Sequence, residues 1–163
     1  MSNQSAQHSS ICPYIQQRLT VTRTKDFLQL VKKRPKAIGI DYDQTIVDDD
    51  HFNVQITQEI LTKAGYLTIA AYNGQEAVEK YSQYSCKISL ILMDCEMRIM
   101  DGFKATQKIL SYANEKKLTP PMIYGLTGHV GKTYEEKCIE AGMKRMIKKP
   151  IGYNELLALV SHN

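Results

Sequence analysis

Carboxylate, hydroxyl and ammonium side chains stand at four separated places in the sequence, each at the end of a short apolar run. The acidic run at 48–50 ends the first of these, Asp94 the second, Thr127 the third and Lys149 the fourth. Counted from Asp49, the intervals are 45, 33 and 22 residues. If the apolar runs are strands of one parallel sheet, right-handed crossovers bring these ends to one edge. We therefore expect the four groups to meet.

A cluster of these acidic, hydroxyl and ammonium side chains could bind a divalent cation and a phosphoryl group. Several carboxylates at one place repel one another unless a cation lies among them. A ligand set of oxygens without His or Cys favours a hard ion, Mg²⁺ first, with Mn²⁺ as a substitute. A hydroxyl and an ammonium beside it suit phosphoryl transfer, in which positioning and charge neutralisation dominate. Asp94 is then a carboxylate nucleophile, and an acyl phosphate is its product.

The elements that must position these residues follow from the apolar pattern after residue 44. Apolar runs bounded by turn residues predict strands at 44–48, 67–72, 88–93, 122–126 and 145–148. Apolar residues at helical spacing predict helices at 54–63, through Ala77 and Tyr81, and at 102–115, 134–141 and 154–160. The run ISLILM at 88–93 is almost wholly apolar, as expected of a strand buried on both faces. Strands alternating with helices predict an α/β domain with a five-stranded parallel sheet.

The net charge of +4 belongs to the N-terminal segment. Residues 1–43 hold seven Lys and Arg against three acids, whereas residues 44–163 hold equal numbers of each sign. We predict a basic, partly disordered arm at 1–43 and a folded domain at 44–163. The run KKRPK at 32–36 would suit a nuclear-import signal or a nucleic-acid contact. No aromatic-interleaved basic sequence accompanies it, so a linker is favoured and no nucleic-acid partner is expected.

Composition excludes several classes of protein. Of the 163 residues, 43% are hydrophobic and 23% charged, close to the globular norm. No apolar run approaches the roughly 18 residues of a membrane span, and the polar N-terminus lacks the apolar core of a secretory signal. The four cysteines form no CxxC motif, and without export we expect them to be reduced thiols. The composition predicts a cytoplasmic protein without membrane contact, or a nuclear one if KKRPK is an import signal.

Residues 44–163 resemble the receiver domain of two-component response regulators, especially receivers attached to hybrid histidine kinases. IVDDDHFNVQ resembles the family's first acidic motif, and LILMDCEMRIMDGFKAT its phosphoacceptor strand and following loop. LTG resembles its switch strand, and KKPI its lysine–proline motif. The four motifs stand in the family's order and at its intervals. The resemblance implies a doubly wound, flavodoxin-like sheet of order 2-1-3-4-5 with helices on both faces.

The resemblance also assigns roles to the matching acids. Asp94 would be the phosphoacceptor, and Asp48, Asp49 and Asp94 itself would bind Mg²⁺. The backbone carbonyl of Glu96 would complete the protein ligands. The phosphoryl group would come from a histidine kinase or a histidine phosphotransfer protein.

Thr127 and Lys149 would contact the transferred group. Thr127 would hydrogen-bond it, Lys149 would pair with its oxygens, and the bond between Lys149 and Pro150 would be cis. The domain would catalyse only its own phosphorylation and dephosphorylation, so it is not expected to be an enzyme for other substrates. It would serve as a stand-alone phosphorelay carrier or as the receiver of a hybrid kinase, and dimerisation of the phosphorylated form is left open.

The sequence departs from the family pattern at two positions. Arg98 stands where the loop usually has proline, which removes a stiffening residue and adds a charge. Met146 stands at a switch position that is usually aromatic, where a flexible thioether could fill the same pocket. Glu96 and His129 are expected to flank the mouth of the site, and to affect the lifetime of the phosphoryl group.

The sequence leaves two alternatives to an active receiver open. GIDYDQTIV at 39–47 imitates the opening motif of haloacid-dehalogenase-type phosphatases, with Asp41 as nucleophile and Asp43 as general acid. That reading leaves LMDCEMRIMDG unexplained, and Glu155 is the sole acid after the lysine. The second alternative is a degenerate receiver that binds partners without phosphorylation. Asp50 alone is most simply a helix N-cap.

Overall fold

The computed structural model describes residues 43–85 and 87–161. Its strands are β1 (Asp43–Val47), β2 (Leu67–Ala71), β3 (Ile88–Asp94), β4 (Met122–Thr127) and β5 (Arg145–Lys148). Its helices are α1 (His51–Lys63), α2 (Gly74–Tyr84), α3 (Gly102–Glu115), α4 (Lys132–Glu140) and α5 (Tyr153–Ser161). The strands form one sheet of order β2-β1-β3-β4-β5. Every neighbouring pair is parallel, which confirms the predicted α/β class and strand order.

The register of the strands sets their carboxyl ends at one edge. Val47 pairs with Met93 across β1 and β3, and Asp94 pairs with Leu126 across β3 and β4. Thr127, the last residue of β4, pairs with Lys148 of β5. The residues that follow these ends therefore emerge side by side.

The core lies on both faces of the sheet, because consecutive residues of a strand point to opposite faces. In β3, Ile91 and Met93 join one buried cluster, while Leu90 and Leu92 join the other. The first cluster takes its helical side chains from α2, α3 and α4, and the second from α1 and α5. Burial of each large side chain contributes about 1.5–3 kcal/mol. The predicted placement of helices on both faces is confirmed.

Three helices start with side-chain caps close to the carboxyl ends of strands. Asp50 accepts a hydrogen bond from the backbone N–H of Phe52, Asn73 from Glu76, and Asp101 from Lys104. Capping side chains satisfy N–H groups that the first helical turn leaves unpaired. The caps fix where each chain segment turns away from the sheet edge.

The predicted boundaries differ from the observed ones mainly at helix starts. Helix α1 begins at His51 rather than Val54, and α4 at Lys132 rather than Tyr134. Of the arm predicted for residues 1–43, Asp43 opens β1 and the rest lies outside the described residues, including the KKRPK run. Among the described residues, no helix is both long enough and apolar enough to cross a membrane.

Candidate phosphoryl-transfer site

The predicted residues come together at the carboxyl edge of the sheet. Asp94 ends β3, Asp48 follows β1, Thr127 ends β4 and Lys149 follows β5. Backbone hydrogen bonds fasten these ends to their neighbours. The N–H of Asp48 donates to the carbonyl of Ala71 at 3.2 Å, and that of Lys149 to the carbonyl of Thr127 at 2.8 Å. The sheet itself therefore holds the site in place.

Lys149 lies between two buried carboxylates. Its Nζ is 2.6 Å from Oδ2 of Asp48 and 2.9 Å from Oδ2 of Asp94. The sequence analysis assigns Lys149 to the phosphoryl group, and neither carboxylate contact was predicted directly. The peptide bond between Lys149 and Pro150 is cis, as the resemblance implies.

Three carboxylates form a cluster with the geometry of a cation site. One oxygen from each of Asp48, Asp49 and Asp94 lies within 4.8 Å of the others. Asp48 is held by the backbone N–H of Asp50 at 2.9 Å and by the amide of Asn53 at 3.3 Å. Three negative charges face the ammonium of Lys149 and the exposed guanidinium of Arg98, 3.6 Å from Asp49, which leaves an excess of one negative charge. The oxygen-only donor set and this excess fit a hard divalent cation.

Burial and the ammonium group act in opposite directions on the phosphoacceptor candidate. Burial raises the pKa of Asp94, while the hydrogen bond and charge of Lys149 lower it only in part. For Lys149, burial works to lower the pKa, but the hydrogen bonds to Asp48 and Asp94 outweigh it and the pKa is raised. The raised pKa of Lys149 favours its charged form, the form that can pair with a phosphoryl oxygen.

Thr127 is buried beside this cluster and organises the loop that follows it. Its Oγ1 accepts a hydrogen bond from the backbone N–H of His129 at 3.0 Å. This turn brings His129 out of the sheet edge, where its side chain is largely exposed. The hydroxyl of Thr127 stays available as a hydrogen-bond donor, because accepting a bond does not use its proton.

Glu96 and His129 pair at the mouth of the site. Nδ1 of His129 lies 2.9 Å from Oε2 of Glu96, and the backbone N–H of Glu96 donates to Oδ1 of Asp94 at 3.3 Å. The phenol of Tyr134, on the first turn of α4, donates to Oε1 of Glu96. The Tyr134 hydrogen bond is the main cause of the lowered pKa of Glu96, and His129 adds to it. Sequence reasoning placed Glu96 and His129 here but missed Tyr134.

The two departures from the family pattern lie on different sides of the site. Nε of Arg98 is 3.6 Å from a carboxylate oxygen of Asp49, with the Arg98 side chain 87% exposed. Ile99, which follows it, has φ of 70° and is 84% exposed. A β-branched residue rarely adopts this backbone conformation. Met146 is half-buried in β5 and packs against the cluster that contains Met143 and Cys138.

Two other acids considered in the sequence analysis, Asp50 and Asp43, are not part of the carboxylate cluster. Asp50 caps α1 and accepts from Phe52 at 2.9 Å, as predicted. Asp43 opens β1, where its Cα pairs with Leu67 and Ile88, the first residues of β2 and β3. It therefore lies at the opposite edge of the sheet from Asp94. Asp41 lies outside the described residues.

Comparison with known proteins finds relatives over the described domain. The family described as response regulator receiver domain matches residues 45–161. Hybrid signal transduction histidine kinase B of Dictyostelium discoideum is 38% identical over 122 residues, which cover 69% of this chain and 6% of that protein. Two-component response regulator ARR22 of Arabidopsis thaliana is 36% identical over 118 residues, which cover 72% of this chain and 80% of that protein. The chain thus spans only a small part of the hybrid kinases it matches, from 5% to 7% of three from Dictyostelium.

Solved structures share the fold. The CheX–CheY–BeF3–Mg complex from Borrelia burgdorferi matches with a TM-score of 0.67 and 27% identity, over 76% of this chain and 90% of that one. The receiver domain of Ssk1 from Saccharomyces cerevisiae, in a co-crystal with the histidine phosphotransfer protein Ypd1, matches with a TM-score of 0.66 and 24% identity. That match covers 77% of this chain and 88% of the other. The sheet order, the motifs and the matched range agree, and the chain belongs to the family of response regulator receiver domains.

Proposed function

We propose that Asp94 is the phosphoacceptor of this receiver and that a histidine kinase or a histidine phosphotransfer protein is its donor. The observation that carries the proposal is the position of Asp94. It lies at the end of β3, buried, with Nζ of Lys149 at 2.9 Å and two further carboxylates within 4.8 Å. A buried carboxylate beside one ammonium and a cation-binding cluster is the arrangement that phosphoryl transfer to oxygen requires.

The transfer is an in-line displacement at phosphorus. A carboxylate oxygen of Asp94 attacks, an O–P bond forms and the N–P bond of the donor phosphohistidine breaks. The leaving imidazole nitrogen takes up a proton from solvent water. Lys149 pairs with a phosphoryl oxygen and the hydroxyl of Thr127 donates to another, so two groups of this chain meet the charge of the incoming group.

Asp48, Asp49 and Asp94 would hold Mg²⁺, with the backbone carbonyl of Glu96 as a further ligand. The ion supplies positive charge to the phosphoryl oxygens. The fit rests on the excess of negative charge in the cluster and on its oxygen-only donors. The similar complex from Borrelia burgdorferi, at 27% identity, contains BeF3 and Mg²⁺, which supports a Mg²⁺ site here.

The donor is proposed from the kinds of relatives that match. Hybrid histidine kinases contain a region similar to this chain, and the yeast receiver was crystallised with its histidine phosphotransfer protein. A phosphohistidine donor is the common element of these systems. This chain would receive the phosphoryl group in such a transfer, in a stand-alone regulator or within a longer kinase.

Mass spectrometry of the intact protein tests the phosphoacceptor. The protein is incubated with Mg²⁺ and a small acyl phosphate, and then with a phosphorylated histidine phosphotransfer protein. We expect one phosphoryl adduct, lost in Asp94→Asn and lost when the cation is chelated. The control is Asp43→Asn, which removes the acid at the opposite edge of the sheet and should form the adduct normally. An adduct that survives Asp94→Asn and disappears in Asp43→Asn would overturn the proposal.

A further inference from the structure

Tyr134 of α4 completes a three-residue contact at the mouth of the site. Its phenol donates to Oε1 of Glu96, while Nδ1 of His129 lies 2.9 Å from Oε2 of the same carboxylate. The rings of Tyr134 and His129 are stacked, with centroids 5.3 Å apart and an angle of 10° between their planes. Each member of the group therefore contacts the other two.

The ring of Tyr134 also contacts side chains of α3 and α4. The ring of Phe103 lies 6.5 Å away in a tilted arrangement, and Nζ of Lys137 lies 5.4 Å from the Tyr134 centroid. Phe103 belongs to α3 and Lys137 to α4. The phenol thus connects the loop after β3 with the helix that follows β4.

Each oxygen of the Glu96 carboxylate has a partner in this arrangement, Tyr134 on Oε1 and His129 on Oε2. Glu96 follows the phosphoacceptor candidate by two residues, and its backbone N–H donates to Oδ1 of Asp94. A carboxylate beside an acyl phosphate could accept a hydrogen bond from an attacking water and so promote hydrolysis. The partners on Oε1 and Oε2 keep the carboxylate turned toward α4 instead.

We propose that Tyr134 is a positioning residue that holds Glu96 against His129 and thereby prolongs the lifetime of the phosphoryl group on Asp94. The inference deepens the proposed function and rests on it. In the hydrolysis that Tyr134 restrains, a water oxygen attacks phosphorus, an O–P bond forms and the P–O bond to Asp94 breaks. Asp94 leaves as a carboxylate, and both protons of the water remain on the inorganic phosphate.

The test is the rate at which the Asp94 adduct disappears after the donor has been removed. We expect Tyr134→Phe to shorten the lifetime by about threefold or more, the effect of losing one solvent-exposed hydrogen bond. In a Glu96→Ala background the same change should have no effect, because the phenol then has no carboxylate to hold. Tyr112→Phe is the matched control, since it removes an exposed phenol hydrogen bond, to the carbonyl of Ser82, away from the described site.

The outcomes separate the two proposals. A wild-type adduct whose lifetime is unchanged in Tyr134→Phe overturns the inference and leaves the phosphoacceptor assignment standing. An acceleration of equal size with and without Glu96, or one also seen in Tyr112→Phe, shows a general loosening and overturns it as well. Absence of any adduct on the wild type overturns the proposed function. Thermal denaturation of Tyr134→Phe should match the wild type, which excludes a merely structural effect.

Discussion

Nζ of Lys149 lies 2.9 Å from Oδ2 of Asp94, and both groups are largely buried. Without a cation at the site, this ammonium is the main positive charge facing the carboxylates of Asp94 and Asp48. The ammonium therefore compensates the two negative charges, and without it the carboxylates of Asp48 and Asp94 would repel each other.

Replacing Lys149 should destabilise the cation-free protein more than the Mg²⁺-bound one. We expect Lys149→Met to lower the free energy of unfolding by about 1–3 kcal/mol without Mg²⁺, less than for a fully buried pair because Lys149 is 23% exposed. With Mg²⁺ the loss should shrink, since the ion then compensates the acids. Urea denaturation with and without Mg²⁺ measures both, and Lys148→Met, at an exposed neighbouring position, should be nearly neutral. An equal loss in both conditions would contradict the prediction.

The adjacent acids Asp49 and Asp50 should respond differently to substitution. Asp49→Ala is expected to weaken Mg²⁺ binding about tenfold or more, because it removes one carboxylate of the cluster. Asp50→Ala should leave binding nearly unchanged but cost about 1 kcal/mol of stability, since it removes the cap of α1. Calorimetric titration with Mg²⁺ and urea denaturation of both variants check this. Equal binding losses would show that Asp50 is also a ligand.

Tyr81 carries a buried hydroxyl with no hydrogen-bond partner among the described residues. Burial raises the pKa of Tyr81 above its ordinary value of 10.0, and the nearby Tyr112 adds to the effect. Tyr81→Phe should therefore be neutral or stabilising by up to about 1 kcal/mol at neutral pH, because it removes an unsatisfied polar group.

The raised pKa of Tyr81 should also make the stability of the protein depend on pH above about pH 10. The unfolded chain ionises its tyrosine at the ordinary pKa, whereas folded Tyr81 keeps its proton, so stability falls as the pH rises from the unfolded toward the folded pKa. Tyr81→Phe should lose less stability over that range than the wild type. Urea denaturation at neutral pH and at a pH of about 10.5 measures the difference. Parallel losses in the two proteins would count against a buried, neutral Tyr81.

Gly125 of β4 faces a cluster of sulfur atoms. A Cβ at this position would lie 2.6 Å from Sδ of Met143, 3.0 Å from Sγ of Cys95 and 3.1 Å from Sγ of Cys138. Gly125→Ala should therefore cost about 1–3 kcal/mol of stability through overpacking. Gly128→Ala is the control, because a Cβ there meets no described atom within 4 Å. Additional replacement of Cys138 by Ala should restore part of the loss in Gly125→Ala, and failure to do so would argue against the packing explanation.

The fold was predictable because its periodic signals are strong. The apolar run of β3 and the turn residues around each strand indicated a parallel sheet before any contact was known. The start of α1 was predicted three residues late, because its first turn is polar or exposed and periodicity detects only the apolar positions from Val54 onward. Asp50 was the better signal, since an N-cap marks a helix start directly.

The positions of Asp94, Thr127 and Lys149 were predictable since strand ends of a parallel sheet share an edge. Tyr134 was not, because its contact with Glu96 depends on the direction in which α4 presents its first turn, and no spacing in the sequence encodes that direction. The bond from Lys149 to Asp48 was missed for a related reason. It joins residues 101 positions apart, and sequence reasoning assigned the ammonium to the phosphoryl group alone.

Because Gly102 has no side chain, the start of α3 can lie close to the end of β3. A Cβ at Gly102 would lie 2.1 Å from the carbonyl oxygen of Asp94, and the backbone N–H of Gly102 donates to the carbonyl of Cys95 at 3.1 Å. The first residue of α3 thus packs directly against the backbone at the end of β3. On the other side, α4 is reached through Gly128 and Gly131, where a Cβ meets no described atom within 4 Å. Any side chain at position 102 would therefore have to push α3 away from Asp94, whereas the loop before α4 has room for a side chain at both of its glycines.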